Sequence, residues 1–119
     1  MNNVNLIGRL TADPVVRYSG EHPIATFTLA IDRPPKPDGT KDTDFPRITA
    51  HGKQAEFCGK YLQKGNRAAI VGRIKTGSYN KDGQTIYTTD IIANRVEVID
   101  WPEKKEETQG RYDREEFFF

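Results

Sequence analysis

A chain of 119 residues, 35% hydrophobic and 29% charged, has material for one core but not two, and its formal net charge of +1 announces no strongly charged partner. No stretch is long and apolar enough to cross a bilayer as a helix, and no basic segment followed by an apolar run opens the chain, so the expected location is cytoplasmic. The single Cys58 excludes an intramolecular disulfide.

Val4 to Leu10 reads as a first strand, with Val15 to Tyr18 as its short continuation after the Asp13-Pro14 break. The first strand ends in Ile7-Gly8-Arg9-Leu10, a phrase that returns as Val71-Gly72-Arg73-Ile74. Glycine inside a strand weakens pairing and leaves nothing to pack, so it marks a bulge, a sharp bend or a close backbone approach. Two such strands, each with an arginine after the glycine, point to a small, strongly curved sheet with cations beside its bends.

From Ile24 to Ile31, Ala25, Phe27, Leu29 and Ile31 alternate with Thr26, Thr28 and Ala30, the period of a half-buried strand. His22 falls in an apparent turn before Pro23. Arg33 to Lys41 contains Pro34, Pro35, Pro37 and Asp38-Gly39, and reads as a long, mobile loop. A third strand is expected from about Asp44 to His51, with Ile48 and Ala50 inward and Phe45, Arg47, Thr49 and His51 on the opposite face. Gly52 to Leu62 reads as a helix: Ala55, Cys58, Tyr61 and Leu62 recur at helical spacing, Lys60 and Lys64 suit its C-terminal end, and Gly65 reads as the stop after it.

A fourth strand runs from Ala68 to about Tyr79, interrupted at Gly72, and Lys81-Asp82-Gly83 signals a turn. Ile86 to Asp90 returns antiparallel and leads into a fifth strand, Ile91 to Ile99. Three strands, a helix between strands 3 and 4, then two strands is the order of an all-β OB-fold, a five-stranded Greek-key barrel whose face and loops commonly hold oligonucleotides or oligosaccharides. Residues 1–100 form this domain, with 14 Lys and Arg against 11 Asp and Glu, so it is mildly basic. Residues 101–119 form a short charged tail, with 4 Lys and Arg against 6 Asp and Glu. From Glu103 to Glu116 the tail is too poor in apolar residues to offset its ordering entropy, and disorder is expected.

The face carrying Phe45, Arg47 and His51 is extended by Arg73, Lys75 and Tyr79 provided the bulge at Gly72 does not shift their parity. Rings interleaved with cations suit single-stranded nucleic acid, because unpaired bases stack on rings while Arg and Lys follow the phosphates. Spacing alone leaves open that Phe45 and Tyr79 cap the core and that Arg47 and Lys75 are ordinary solvated charges.

Asn3-Val4-Asn5-Leu6-Ile7-Gly8-Arg9-Leu10, Asp13-Pro14-Val15-Val16-Arg17-Tyr18, Phe27-Thr28-Leu29-Ala30, Tyr61-Leu62-Gln63-Lys64-Gly65 and Val71-Gly72-Arg73-Ile74 occur in this order. Together they resemble the bacterial single-stranded DNA-binding proteins of replication over about residues 1–100. The resemblance implies an OB-fold assembled as a homotetramer that coats single-stranded DNA without strong sequence preference in replication, recombination and repair. It also implies a bacterial, nucleoid-associated protein that recruits replication and repair proteins through its C-terminal tip. By position, the family's stacking aromatics fall on Pro35, Phe45, His51 and Tyr79. Phe45 and Tyr79 keep the usual kind of ring, His51 can still stack, and Pro35 departs. Basic positions similar to the family's phosphate contacts are Arg17, Arg47, Lys53, Lys64, Arg73 and Lys75, with Lys36 and Lys41 available on the proline-rich loop.

The tip departs from the family pattern too, ending in Glu115-Glu116-Phe117-Phe118-Phe119 rather than several Asp residues and a Pro-Phe end. A terminal carboxylate beside a ring, with acids upstream, still fits capture by a basic, apolar pocket on a partner protein; a merely sticky end is the alternative. No enzyme chemistry is expected, and neither is a metal or cofactor: the chain has no phosphate-loop motif and no His or Cys set with metal spacing, and Cys58 on the helix's apolar side reads as a core residue. Two other classes stand beside the single-strand binder: an OB-fold interaction module that touches DNA only incidentally, and a metal-dependent nuclease.

Overall fold

Inward apolar residues alternating with outward polar ones shape the strands that build this molecule. The computed structural model describes residues 1–100, so the expected disorder of the tail and the tip Glu115 to Phe119 lie outside the described residues. The elements in order are β1 (Val4–Leu10), β2 (Val15–Ser19), β3 (His22–Asp32), β4 (Thr43–Asp44), β5 (Arg47–His51), α1 (Gly52–Tyr61), β6 (Arg67–Lys81) and β7 (Gln84–Asp100).

The sheet runs β1-β6-β7-β5-β3 and closes on itself where Arg9 and Leu10 of β1 pair with Ala30 and Leu29 of β3. β5 and β7 are parallel neighbours; all other pairings are antiparallel. A five-stranded closed sheet, with the single helix of the described residues between its third and fourth long strands, is the expected OB-fold arrangement.

Both repeated-phrase glycines face inward at close crossings. A Cβ on Gly8 would stand 2.7 Å from the Ala30 carbonyl oxygen, and one on Gly72 would stand 2.1 Å from that of Ile92. No side chain fits at either point, so the sheet coils tightly enough to close. The register slips opposite Val71 and Gly72, but the extra residue is Asn94 on β7, as Ile99 is at a second slip opposite Arg67 and Ala68. β6 itself carries no insertion, and its inside-outside alternation runs unbroken through Gly72.

The core is filled by Leu29, Ile48 and Ile70, with alanines at positions 25, 50, 55, 68 and 93 where the walls come close. α1 contributes Ala55 and Cys58 and is followed by buried Leu62. Gln54 ties the helix to the sheet, its Oε1 accepting from the Val96 N–H at 3.0 Å.

Several elements differ from the sequence expectation. Val15–Ser19 does not merely prolong the first strand; it forms a hairpin with β3, and His22 is the first residue of β3, opposite Ser19, rather than a turn residue. The third strand is broken at Phe45-Pro46, since proline has no N–H for the ladder, though its carbonyl accepts from Leu29 N at 3.1 Å. The return strand and the fifth strand are one continuous β7.

Tyr61 is exposed rather than on the helix's buried side. The helix ends at Tyr61 and is capped by Leu62, whose N–H donates to Cys58 O, and Gly65 with φ +91° instead serves the turn from Gln63 to Asn66.

The segment read as a long loop is folded upon itself: Arg33 N donates to Asp42 O, Lys36 N to Thr40 O and Gly39 N to Lys36 O. Arg33 clamps its base with a bidentate pair to Asp44, the shortest contact being 2.7 Å, and this holds the Asp44 carboxyl below its ordinary range.

Candidate nucleic-acid interface

Because Ile48 and Ala50 are fully buried, the alternate residues Arg47, Thr49 and His51 of β5 stand on the outer face, and strand pairing carries that face across the sheet. One row joins Arg17, Ile24 and His51 across β2, β3 and β5. A second joins Val15, Thr26, Thr49, Ile92 and Arg73 from β2 to β6. Next to it, Lys75 pairs with Asp90, whose Oδ1 lies 3.9 Å from Arg47 Nε. Arg17, Arg47, Arg73 and Lys75 therefore share one continuous surface, with Thr26, Thr49 and Ile92 forming its floor.

Both full rings are open to solvent. Phe45, at the break just before Arg47, is 62% exposed, and Tyr79, an even number of residues beyond Arg73 and Lys75 on the uninterrupted β6, is 53% exposed. Neither caps the core. Tyr79 stands on a ribbon made by residues 75 to 90, which among the described residues pair only with each other beyond Ile74 and Ile91. Asp82 and Gly83, both with positive φ, close it in a two-residue turn. A two-stranded ribbon with no third strand is marginally stable in isolation, so this arm is the part of the sheet best able to adapt to a bound chain.

The remaining positions are placed less uniformly. His51 is exposed and its ring meets that of His22. Lys53 is exposed in the first turn of α1, two residues from His51. Lys36 Nζ is spent on Asp42 at 3.0 Å, while Lys41 and Pro35 are exposed on the same folded loop. Lys64 does not join the group: it sits in the turn ahead of Arg67, with its N–H on Asp13, roughly 25 Å of strand away from Lys75.

Two face residues, His22 and Asp90, are not marked by sequence reasoning. Counting back by two from Ile24 puts His22 on the same side, a signal masked by reading Pro23 as the start of the strand's turn. Asp90 was visible only as a strand residue. Its cross-strand neighbours give it its importance.

Cys58 is fully buried, and desolvation pushes its thiol up to about 12, which fits a core side chain rather than a nucleophile. Among the described residues no group of three or more His, Cys, Asp or Glu is gathered to hold a metal, and no helix is long and apolar enough to cross a membrane.

A closed five-stranded sheet with cations and open rings on one outer face defines a small OB-fold binding protein, of the kind whose face and loops take up oligonucleotides or oligosaccharides. Residues 1–99 match the Single-strand binding protein family, and the chain belongs to that family. It is 44% identical over 104 residues to single-stranded DNA-binding protein 3 of Clostridium acetobutylicum, covering 85% of this chain and 72% of that one. Identity to the single-stranded DNA-binding protein of Clostridium tetani is 42% over 108 residues, covering 88% and 74%. With single-stranded DNA-binding protein 1 of Staphylococcus aureus strain Mu50 it is 41% over 113 residues, covering 92% and 71%.

Proposed function

We propose that this protein binds single-stranded DNA without strong sequence preference and without catalysis, coating strands exposed in replication, recombination and repair. The observation that carries this reading is the register placing Arg17, Arg47, Arg73 and Lys75 on one outer face whose ring-bearing positions 45, 51 and 79 are all exposed. Family membership and the relatives' names support it.

Bases stack on Phe45, Tyr79 and His51, while Arg17, Arg47, Arg73 and Lys75, with Lys53 beside them and Lys41 on the loop, neutralise phosphates. Lys36 joins only by exchanging Asp42 for a phosphate, and Lys64 meets a strand only if its path runs on past the end of β6.

Homotetramer assembly extends the path. Its support is the outer face of β1 and β6, where exposed Ile7 stands opposite Ala69 and exposed Val71 opposite Asn5, beside a β1 edge that is unpaired from Val4 to Gly8 among the described residues. A second copy of the chain would cover both. The tip from Glu115 to Phe119 recruits replication and repair proteins, and the setting is the nucleoid of a bacterial cytoplasm.

Titration of labelled oligo-dT by anisotropy at several salt concentrations tests the reading. Affinity falls as salt rises, with a log-log slope near −0.7 per phosphate contacted. Absence of binding, or binding indifferent to salt, overturns it.

A further inference from the structure

His22 and His51 come from different strands and meet on the outer face, Nε2 of one 3.3 Å from Nδ1 of the other. Their ring centroids are 5.4 Å apart and their planes differ by 25°. The centroids are farther apart than the nitrogens by nearly two ring radii, so the imidazoles meet edge to edge in nearly one plane instead of lying one upon the other. In the neutral pair one ring donates and the other accepts.

The backbone arranges this meeting. His51 is the last residue of β5, opposite Ile24, and His22 lies two residues upstream on the same side of β3. The chain leaves His51 through Gly52 at φ +62°, and the His22 Cε1 lies 3.9 Å from the point where a Cβ on Gly52 would stand. The His22 ring thus lies beside the start of α1 and reaches the His51 edge.

Two small rings joined edge to edge present a flat, polarizable surface wider than either alone. We infer that His22 and His51 act as one composite stacking platform for a single nucleobase, with His22 supplying the area that a lone imidazole at position 51 lacks. This inference rests on the single-stranded DNA reading and adds a contact residue to it. Arg17, in the same cross-strand row, stands next to the platform with a charge for the adjoining phosphate.

The test is a double-substitution cycle on the full chain with oligo-dT at fixed salt, read by anisotropy. His22→Ala and His51→Ala each weaken binding roughly tenfold, the scale of one lost base stack, and the double variant is no weaker than either single one. The salt slope stays that of the unsubstituted protein, because no phosphate contact is removed. His22→Gln, which keeps a polar side chain but no ring, loses as much as His22→Ala. In a His51→Phe background, where one full ring replaces the pair, His22→Ala changes nothing.

Both histidines are exposed, so the thermal midpoint serves as the control for folding. The inference is overturned if His22→Ala binds like the unsubstituted protein, if the two losses add, or if the salt slope flattens by a phosphate contact. If the unsubstituted protein binds no oligo-dT, the functional reading itself has failed.

Discussion

The Asp90 carboxylate lies 3.9 Å from the Arg47 guanidinium and directly across from Lys75 on the neighbouring strand, a lone negative charge between two cations of the outer face. A phosphate arriving there must compete with Asp90 for both. Asp90→Asn removes that competition, so oligo-dT affinity rises severalfold and the salt slope steepens by about 0.7, one additional phosphate's worth. Anisotropy titrations of the two proteins across a salt series check it; equal slopes count against a role for Asp90 at the interface.

Phe45 and Tyr79 are the strongest stacking candidates, and their exposure means neither supports the core. Replacing both by Ala costs about 2 kcal/mol or more of binding, given 1 to 3 kcal/mol per stacked base. The thermal midpoint stays within a degree or two. An interaction module that meets DNA only incidentally loses nothing in the same experiment, so the double variant separates the two readings.

What the sequence disclosed and what it hid follow from how far each feature reaches along the chain. Inward Ala25, Phe27 and Leu29 in β3, and Ile48 and Ala50 in β5, alternate with polar neighbours, and period two is legible in a short window. The Lys81-Asp82-Gly83 turn was legible because positive φ at two successive positions selects those residues.

The slip at Gly72 was legible in its place but not in its strand, because the extra residue is Asn94, more than twenty positions away on the partner strand. The loop after β3 looked unstructured since its order depends on Arg33 finding Asp44 and Lys36 finding Asp42, pairings that composition does not reveal. The face residues Arg47, Arg73 and Lys75 were legible by parity. Asp90 and His22 were not, because their meaning lies in cross-strand neighbours.

Gly72→Ala should be among the most damaging single-methyl additions in the domain. Its Cβ would fall 2.1 Å from Ile92 O and 3.1 Å from Ala93 Cα, both backbone atoms that cannot turn aside as a side chain does. The expected loss is about 3 kcal/mol, the upper range for overpacking, seen as a lower urea midpoint. Gly83→Ala, with nothing within 4 Å of its added carbon, suffers only the strain of φ +81° and should cost less.

Asn66 is the one buried polar residue among those described, and it holds three segments together. Its Oδ1 accepts from Gln63 N at 2.6 Å, its Nδ2 donates to Asp100 O at 3.4 Å, and its own carbonyl accepts from Leu10 N at 2.9 Å. Asn66→Ala leaves the backbone bond intact but strips the Gln63 N–H of its acceptor, costing about 2 kcal/mol in urea denaturation. Asn66→Asp keeps an acceptor for Gln63 yet introduces a charge facing the Asp100 carbonyl, so it should not restore full stability.

Burial holds the Cys58 thiol protonated, its pKa raised from an ordinary 9.0 to about 12. Well below pH 9 the thiol is almost wholly protonated in the folded and the unfolded chain alike, and the contribution to stability is fully present. Between pH 9 and 12 the unfolded chain gives up its proton while the native one keeps it, so this contribution is progressively lost as pH rises.

Native protein should therefore react with a thiol reagent at pH 8 only as fast as it opens, whereas urea-unfolded protein reacts at once. Against Cys58→Ala, the unsubstituted protein should show the steeper fall in urea midpoint between pH 9 and 11. Rapid labelling of the native chain at pH 8 would mean that α1 does not seal the core around this residue.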